Sequence, residues 1–385
     1  MLNPYTPGEL PHVLVGRDVQ LASIRSALGG VATFGRLSGA PYLFSAPRGI
    51  GKTSLLRAAQ REANGVGFVT AWVSARDDES LPAAIVQAVS DGVAAAGLDE
   101  GERAGRWRDS IDRVSVEVGV PGVKVGAELR PREGAGQSGS ATGLEQLLAA
   151  TARFVREESR PGLMVVVDEL QAGSMGDLRT WAYAAQHLQS EADSTPLALF
   201  GAGLPSLPDR LMDAATFAER FHFEQLQRLT PQATREAFTQ PCEPASVSWQ
   251  TEALNHAVEI AAGYPFMVQV LGHETWTAAS PSGPGQFTLE HVQAGAERAV
   301  VRLQPMFRGR WSKTTAAERR FLAAMAAAGT DVVERAVIAE SLGRPTRGLS
   351  GARASLIDKG LIEPVEHGQL QFTTPGFRDF VREHT

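Results

Sequence analysis

The sequence predicts an α/β protein with a buried parallel sheet, a group of further helices and a small C-terminal module. A short apolar strand, a glycine-rich loop and a helical segment follow one another in residues 41–57, PYLFSAPRGIGKTSLLR. The continuous apolar run at residues 163–167, LMVVV, is typical of a strand covered on both faces of a parallel sheet. Residues 314–372 contain three helical segments followed by two short strands.

Length and composition indicate an ordinary globular protein of two or three domains. Of the 385 residues, 43% are hydrophobic and 21% are charged, which excludes a disordered chain. No apolar run approaches the roughly 18 residues of a membrane span and no signal peptide is visible, so we expect a cytoplasmic protein without a membrane partner. The single cysteine, Cys242, excludes an internal disulfide, and we expect it to be half-buried and inert.

The net charge of −6 is unevenly distributed along the chain. Residues 301–385 hold 13 Lys and Arg against 9 Asp and Glu, which leaves residues 1–300 with a net charge of −10. A basic tail permits a nucleic-acid partner, but an excess of four positive charges is too small to require one.

Periodicity and turn residues place elements on both sides of the glycine-rich loop. Residues 1–12 are expected to be an extended arm. Predicted helices cover about 18–28, 80–97, 143–158 and 174–190, and the helix after the loop runs to about 63. Predicted strands cover 66–74, 163–167 and 197–200, and Gly29 and Gly30 belong to a predicted break before the loop.

The segment from Ala46 to Thr53 predicts a phosphate-binding loop. Main-chain N–H groups in such a loop point at phosphates, and the helix N-terminus adds partial positive charge. Lys52 would reach the outer phosphates, and the Thr53 hydroxyl would ligate magnesium. Ala46 replaces the first glycine of the consensus, which is the mildest departure available. The predicted nucleotide-binding residues here are Pro47, Arg48, Gly49, Ile50, Gly51, Lys52, Thr53 and Ser54.

Residues 99–141 interrupt the alternation of helices and strands. Valines alternate with polar or small residues over 113–130, on both sides of Pro121-Gly122, which predicts a β-hairpin with one apolar face. A glycine-rich stretch, residues 131–143, follows and is expected to be mobile. The insertion is either an arm that contacts a partner or a neighbouring subunit, or a surface decoration.

An acidic pair, Asp168-Glu169, ends the predicted strand at 163–167. Open α/β sheets bind ligands at the carboxyl ends of their strands. Asp168 would hold magnesium through water, and Glu169 would orient or activate the water that attacks the γ-phosphate. Acidic residues commonly begin loops, so the pair alone is weak evidence for a catalytic site. The phosphate-binding loop that precedes it in the chain makes this evidence strong.

Arg220 precedes a predicted short edge strand near residues 221–226. It is either a phosphate-sensing arginine, acting in its own subunit or across an interface, or an ordinary solvated arginine.

Beyond Thr230-Pro231 the chain is predicted to be helical, with helices near 231–240, 250–262, 265–279 and 288–303 and a turn at 281–285. Helices over 314–328, 333–341 and 346–359 then precede strands at 361–365 and 370–372, joined through His367-Gly368. This is the layout of a winged helix-turn-helix. We predict Arg344, Arg347 and Arg353 as contacts to double-stranded DNA, with Lys359 also directed outward.

Together these motifs resemble the AAA+ and STAND branch of P-loop ATPases, most closely the archaeal-type ATPases akin to origin-recognition proteins. The matching segments span most of residues 13–280 and are Val15-Gly16-Arg17, SAPRGIGKTS (Walker A), VVVDELQ (Walker B), FGAGLP, residues 217–220 and Gly263-Tyr264-Pro265. The resemblance implies a P-loop fold with a parallel 5-1-4-3-2 sheet, a helical lid, and ATP or ADP with Mg²⁺. By analogy, Val15, Gly16 and Arg17 line the adenine pocket and Pro265 contacts the nucleotide from the lid.

The resemblance also divides the chain into an ATPase core at 1–230, a helical lid at 231–306 and a winged-helix domain at 307–385. Two departures from typical AAA+ enzymes favour a slow switch. Those enzymes have a polar residue at the end of the fourth strand, where Gly201, Ala202 and Gly203 stand here. They also have a lid arginine near the position of Tyr264-Pro265, where STAND relatives have a proline motif.

Three functions follow from the sequence. The first is a Mg²⁺-dependent, slowly hydrolysing ATP switch whose winged helix binds double-stranded DNA. The second is a STAND-like signalling ATPase whose winged helix and hairpin bind a protein or mediate self-association. The third is a nucleotide-binding scaffold with negligible turnover. Phosphate contacts make DNA binding steeply salt-dependent, which distinguishes the first function from the others.

Overall fold

The sheet predicted around the glycine-rich loop is present in the computed structural model, which describes residues 2–118, 137–190, 192–280, 285–366 and 368–385. The chain forms two compact units. The sheet unit comprises Asp18–Ser45 and Leu55–Leu226, and the helical unit comprises Met1–Arg17, Ala46–Ser54 and Gln227–Thr385.

The sheet unit alternates strands with helices. In chain order its elements are α1 (Asp18–Phe34), β1 (Tyr42–Ser45), α2 (Lys52–Gly65), β2 (Val69–Ser74), α3 (Leu81–Ala95), α4 (Glu102–Val118), α5 (Gln137–Glu157), β3 (Leu163–Asp168), α6 (Met175–Ser190), β4 (Leu197–Gly203), α7 (Leu207–Ala214) and β5 (His222–Gln225). Lys52, Thr53 and Ser54, which begin α2, belong to the helical unit.

The five strands lie in the order β2-β3-β4-β1-β5, which confirms the predicted 5-1-4-3-2 sheet. Each neighbouring pair is parallel. Every residue of β3 and β4 is buried, because helices cover both faces of such a sheet, and this explains their continuous apolar runs. Parallel strands end at the same edge, so Ser45, Asp168 and Gly203 mark one edge of the sheet.

Two helices of the sheet unit are longer than predicted, and α11 of the helical unit, predicted to end near residue 303, continues to Ser312. α1 continues through Gly29 and Gly30, where the sequence predicts a break, because its buried face extends to Val31. α5 begins at Gln137 within the predicted glycine-rich stretch, since buried Ala141 and Leu144 extend its apolar face toward the N-terminus.

The predicted β-hairpin at 113–130 is wrong where the structure describes it, because residues up to Val118 belong to α4. Trp107 and Ile111, four residues apart, are buried on one face of this helix, and the Trp107 indole N–H donates to the Thr151 hydroxyl of α5 at 3.0 Å. Burial of that face outweighs the strand preference of the alternating valines. The remainder of the predicted hairpin and residues 131–136 lie outside the described residues.

The helical unit contains the remaining elements, and its predicted helices are present. They are α8 (Pro231–Thr239), β6 (Val247–Trp249), α9 (Thr251–Ala261), α10 (Pro265–Ala279), β7 (Gly285–Phe287), α11 (Leu289–Ser312), α12 (Ala316–Ala327), β8 (Val332–Glu334), α13 (Arg335–Ser341), α14 (Ser350–Asp358), β9 (Ile362–Pro364), β10 (Gln369–Phe372) and α15 (Phe377–Glu383). Within the described ranges, no helix is long and apolar enough to cross a membrane.

The C-terminal module, defined here as α12 to α15, contains the predicted three helices and two strands. The third helix consists of a 3₁₀ turn, Thr346–Leu349, followed by α14. β9 and β10 are antiparallel and β8 adds a third strand beside β10, which the sequence did not predict. Of the predicted connections, His367 and residues 281–284 lie outside the described part of the chain.

The N-terminal arm packs against the helices after residue 230. Tyr5 is buried, and a side chain at Gly272 of α10 would place its Cβ 2.5 Å from the Tyr5 ring, so glycine permits this close approach. The Tyr5 hydroxyl hydrogen-bonds to the Phe238 carbonyl and lies 3.0 Å from the Cys242 sulfur. Cys242 is fully buried rather than half-buried, and burial raises the pKa of both Tyr5 and Cys242, which keeps both groups neutral at neutral pH.

An ion pair between the half-buried Lys359 and the buried Glu318 joins α12 to the residue after α14. The Lys359 ammonium lies 2.7 Å from the Glu318 carboxylate, and Glu318 also accepts the Thr315 N–H in a capping box at the start of α12. Burial alone would raise the pKa of Glu318, but hydrogen bonds from Lys359, Ser355 and Thr315 outweigh it and lower that pKa to about 2.

Replacing Lys359 by methionine is expected to lower the free energy of unfolding at pH 7 by about 1–3 kcal/mol, because Glu318 loses its charged donor. The stabilisation from a depressed carboxyl pKa is complete above the ordinary value of 4.5 and is lost as the pH falls toward about 2. Urea unfolding at pH 7 and pH 3 should therefore show a smaller difference between the two proteins at pH 3. Lys313→Met, which removes an exposed charge nearby, should change stability by less than about 0.5 kcal/mol.

Candidate functional site

The glycine-rich loop connects β1 to α2, in the order that the sequence predicts. Ser45 ends β1 and Lys52 begins α2. Gly49 has a φ of +82° and Gly51 a φ of +95°, which are conformations that residues with a Cβ rarely adopt. Ala46, at the first consensus position, is buried without needing a positive φ. The two glycines therefore allow the loop to adopt the backbone conformation of an anion-binding cradle.

Lys52 is a buried cation whose ammonium is bound by this same loop. It is 5% exposed, and its Nζ donates to the Ala46 carbonyl at 2.8 Å and to the Pro47 carbonyl at 3.1 Å. Thr53, the next residue, is exposed at the first turn of α2. A phosphate at the helix N-terminus would offer the ammonium a charged acceptor in place of two neutral carbonyls.

The start of α10 holds the loop through two hydrogen bonds. The Tyr264 hydroxyl donates to the Arg48 carbonyl at 2.8 Å, and the Phe266 N–H donates to the Gly49 carbonyl at 3.2 Å. Tyr264 is fully buried, and a side chain at Gly49 would collide with its hydroxyl. The sequence predicts Pro265, in the first turn of α10, as a nucleotide contact. It does not predict the loop contacts of the two neighbouring residues, Tyr264 and Phe266.

The same tyrosine is linked to the C-terminal module. The Thr374 hydroxyl donates to the Tyr264 oxygen at 3.4 Å, and Arg310 of α11 donates to the Thr374 oxygen at 2.7 Å. A continuous set of hydrogen bonds therefore runs from the Arg48 carbonyl to the residues that follow β10. The sequence carries no signal for this link, because its members are distant in the chain.

The predicted adenine-pocket segment also contacts the loop. The Arg17 guanidinium is buried and donates to the Ile50 carbonyl at 2.9 Å and to the Gln227 carbonyl at 2.8 Å. Gly16 has a φ of +67°, and Val15 is half-buried. Arg17 thus holds the N-terminal segment against the loop, and the adenine contact of the three residues stays a prediction.

The acidic pair lies at the end of β3, as predicted. Asp168 is 4% exposed and its Oδ1 accepts the N–H of Glu169 at 2.9 Å. Glu169 is half-buried and takes a left-handed conformation with a φ of +52°. Arg57 of α2, which the sequence missed, interacts electrostatically with Asp168, and burial lowers the pKa of Arg57. Its guanidinium lies 3.5 Å from the centre of the Trp72 ring.

A glutamine connects this pair to the end of β4. The Gln171 side chain donates to the Glu169 carboxylate at 2.6 Å and accepts the Leu204 N–H at 3.0 Å. The end of β4 is apolar and buried, as the sequence indicates.

Arg220 ends a 3₁₀ turn, Thr216–Arg220, directly before β5, and it is exposed. Its phosphate-sensing role stays a prediction.

The predicted DNA contacts lie on and before the third helix of the C-terminal module. Arg344 and Arg347 are exposed, and Arg353 of α14 is half-exposed. The prediction that Lys359 is directed outward is wrong, because its ammonium is held by the Glu318 carboxylate and the Lys313 carbonyl.

The donors predicted for magnesium suit that ion chemically. Magnesium is bound in proteins by one or two carboxylates together with phosphate oxygens, hydroxyls and water. Asp168 supplies a carboxylate at the end of a buried strand, and Thr53 supplies a hydroxyl at the start of α2. Each of these donors, taken by itself, therefore suits the ion that the sequence motifs imply.

Two family models match the chain. One, described as an AAA ATPase domain, matches residues 13–212, and the other, described as a domain of unknown function (DUF8462), matches residues 304–381. No curated protein matches the chain.

Solved structures share this fold at low sequence identity. The Walker-type ATPase of Pyrococcus abyssi is 14% identical with a TM-score of 0.62, and the match covers 96% of both chains. The ORC2 protein of Aeropyrum pernix, solved in ADPNP–ADP complexes, is 14% identical with a TM-score of 0.60, over 98% of this chain and 97% of that one. At this identity the likeness is one of fold.

Proposed function

The chain belongs to the AAA ATPase domain family, and from this we propose that it is a slowly hydrolysing ATP switch whose nucleotide state controls double-stranded DNA binding by its C-terminal module. In this proposal the ATPase core covers residues 1–230 and the helical lid residues 231–306. Residues 307–385 form the winged-helix domain.

The proposed reaction converts ATP and water to ADP and phosphate. Main-chain N–H groups of the loop and the Lys52 ammonium would bind the phosphates. Asp168 and Thr53 would hold Mg²⁺, which neutralises phosphate charge when bound. Glu169 would accept a proton from water as the water oxygen bonds to the γ-phosphorus and the bond from that phosphorus to ADP breaks. Arg220 would sense the γ-phosphate. The other proposed nucleotide contacts are Val15, Gly16, Arg17, Pro47, Arg48, Gly49, Ile50, Gly51, Ser54 and Pro265.

An adenine nucleotide is supported as the ligand by the loop sequence and by the Aeropyrum pernix protein of similar fold, which was solved in ADPNP–ADP complexes. Slow turnover is supported by the apolar end of β4. On nucleotide binding, the Lys52 ammonium would exchange its bonds to the Ala46 and Pro47 carbonyls for phosphate.

The main observation in support of a nucleotide-controlled switch is the set of hydrogen bonds through Tyr264. This side chain contacts the Arg48 carbonyl of the loop and the Thr374 hydroxyl of the C-terminal module. A change of the loop on nucleotide binding would alter the position of the Arg48 carbonyl and therefore the contacts of Tyr264. The C-terminal module would respond because Thr374 and Arg310 share that network.

Double-stranded DNA is supported as the partner by the exposed arginines of the module. Arg344 and Arg347 are exposed and separated by two residues, and Arg353 follows in α14. Guanidinium groups bind phosphates well because their donors form a planar fork.

We expect the protein to bind labelled duplex DNA with an affinity that falls steeply with salt and differs between its ATP-bound and ADP-bound forms. Each phosphate contact contributes about −0.9 to the slope of log affinity against log salt. Replacing Arg344, Arg347 and Arg353 together by alanine should reduce the magnitude of that slope by about 2–3. Fluorescence anisotropy across a salt series measures it.

The matched control replaces Arg378 and Arg382 of α15, which bond to Asp331 and to the Ala326 carbonyl instead. An unchanged salt slope in the triple variant, or no DNA binding even at low salt, would contradict the DNA proposal.

Exposed valines favour a second function, a signalling ATPase whose C-terminal module binds protein or a second copy of the chain. Val332, Val337 and Val365 are each between 37% and 45% exposed in this module. Failure of the DNA experiment together with nucleotide-dependent self-association in sedimentation would support this function.

A further inference from the structure

We infer that Gln171 is a positioning residue that holds Glu169 for the activation of water and attaches it to the end of β4. This inference rests on the proposed ATPase reaction, in which Glu169 accepts the proton. It also supplies the polar group that the apolar end of β4 does not provide from its own residues.

The contacts determine how the Gln171 carboxamide is oriented. Its Nε2 lies 2.6 Å from the Glu169 carboxylate, and its Oε1 lies 3.0 Å from the Leu204 nitrogen. An ionised carboxylate accepts only, and a main-chain N–H donates only. One orientation of the carboxamide satisfies both partners, so the side chain is fixed between the residue after β3 and the residue after β4.

The end of β4 is shaped for this side chain. A Cβ at Gly203 would lie 2.6 Å from the Gln171 Oε1 and 2.8 Å from a methyl group of Leu207. A polar side chain at that position, which typical AAA+ enzymes provide, would therefore displace Gln171. Gly203 therefore leaves the space that the Gln171 side chain occupies.

Holding Glu169 in one place matters because its backbone is in a sparsely populated conformation. Its φ is +52°, and its N–H donates to the Asp168 carboxylate. A carboxylate acts as a base only within hydrogen-bond reach of the water that it deprotonates. Gln171 limits the side chain to positions that keep its own hydrogen bond.

The experiment compares kcat, KM for ATP and ADP affinity in the full-length protein and in Gln171→Glu, Gln171→Leu and Glu169→Gln. Gln171→Glu keeps the acceptor for the Leu204 N–H, but it replaces the amide donor to Glu169 by a carboxylate and adds a negative charge beside Glu169. Gln171→Leu removes both bonds. We expect either change to lower kcat about tenfold or more while KM and ADP affinity stay within about twofold.

The split between kcat and KM provides a readout that a general loss of structure would not give, because a disturbed fold would also raise KM and weaken ADP binding. Gln87→Glu is the control, since Gln87 donates to Asp91 on the surface of α3 in the same manner, and its kcat should stay within about twofold of the parent value.

The outcomes separate this inference from the proposed function. Parent-like kcat in Gln171→Leu, together with an inactive Glu169→Gln, would overturn the inference and leave the ATPase proposal standing. Parent-like turnover in Glu169→Gln would overturn the inference and the role of Glu169 as the base, whereas absence of turnover in the parent protein would overturn the ATPase proposal. Lowered kcat at unchanged KM and ADP affinity in Gln171→Leu, with a parent-like Gln87→Glu, would support the inference.

Discussion

Lys52→Ala is expected to weaken ATP binding at least about a hundredfold, measured by titration calorimetry. The ammonium is buried within the loop and bonded to two of its carbonyls, so it is already at the phosphate-binding segment and desolvated. A charge-assisted bond to phosphate in such surroundings is worth about 3 kcal/mol, which corresponds to that factor. Alanine removes the charge and leaves the glycine conformations of the loop.

Arg61→Ala is the matched control, because it removes a positive charge from an exposed position of α2 outside the proposed nucleotide contacts. We expect it to change ATP affinity by less than about fivefold. Unchanged affinity in Lys52→Ala, with an unchanged melting temperature, would exclude the loop as the phosphate site.

Glu169→Gln is expected to retain ATP binding and to lower turnover by about 10²–10⁴-fold, because the amide preserves size and cannot accept the proton of water. The half-buried position of Glu169 and its hydrogen bond from Gln171 indicate a side chain held in place. Single-turnover hydrolysis with labelled ATP, at protein in excess of nucleotide, measures the chemical step directly.

The control for this change is Glu79→Gln, at an exposed position in the same unit, which should hydrolyse ATP like the parent protein. Full activity in Glu169→Gln would remove this residue as the water-activating group. Loss of ATP binding in the same variant would instead indicate a role in holding the nucleotide.

The sheet and the loop were predictable because their signals are local. A run such as LMVVV is buried whichever neighbours it has, and Gly49 and Gly51 are required by the backbone of the loop itself. The order of the strands came from the family resemblance, since no local pattern states which strand lies beside which. The structure confirms that order.

The failed hairpin shows the limit of reading alternation alone. A segment with valines at every second position can still be helical when other apolar residues of the same helix have helical spacing and are buried. Trp107 and Ile111 are such a set, and their burial against α5 decides the conformation. The helical spacing of these two residues is visible in the sequence, but it lies just before the segment whose alternation predicts a strand.

The contacts of Tyr264 and Gln171 could not be predicted, because each joins residues far apart in the chain. Tyr264 belonged to a recognised motif, yet its bond to the Arg48 carbonyl depends on how α10 approaches the loop. Gln171 stood beside the acidic pair in the motif VVVDELQ and had no assigned role. A strand end made of small residues, Gly201 to Gly203, together with a long amide after the acidic pair, is a pattern that could have drawn attention to it.

The helical unit is built from separated stretches of the chain, and this limits which recombinant chains keep its internal contacts. That unit is assembled from three separated stretches, Met1–Arg17, Ala46–Ser54 and Gln227–Thr385, so the nucleotide loop is enclosed in sequence by segments of the other unit. A crossover near residue 227 would give the C-terminal stretch a foreign loop whose main chain must still accept hydrogen bonds from Tyr264 and Phe266. Chimaeras that carry Arg17, the loop and the C-terminal stretch from one parent keep the donors and the loop conformation of these bonds together.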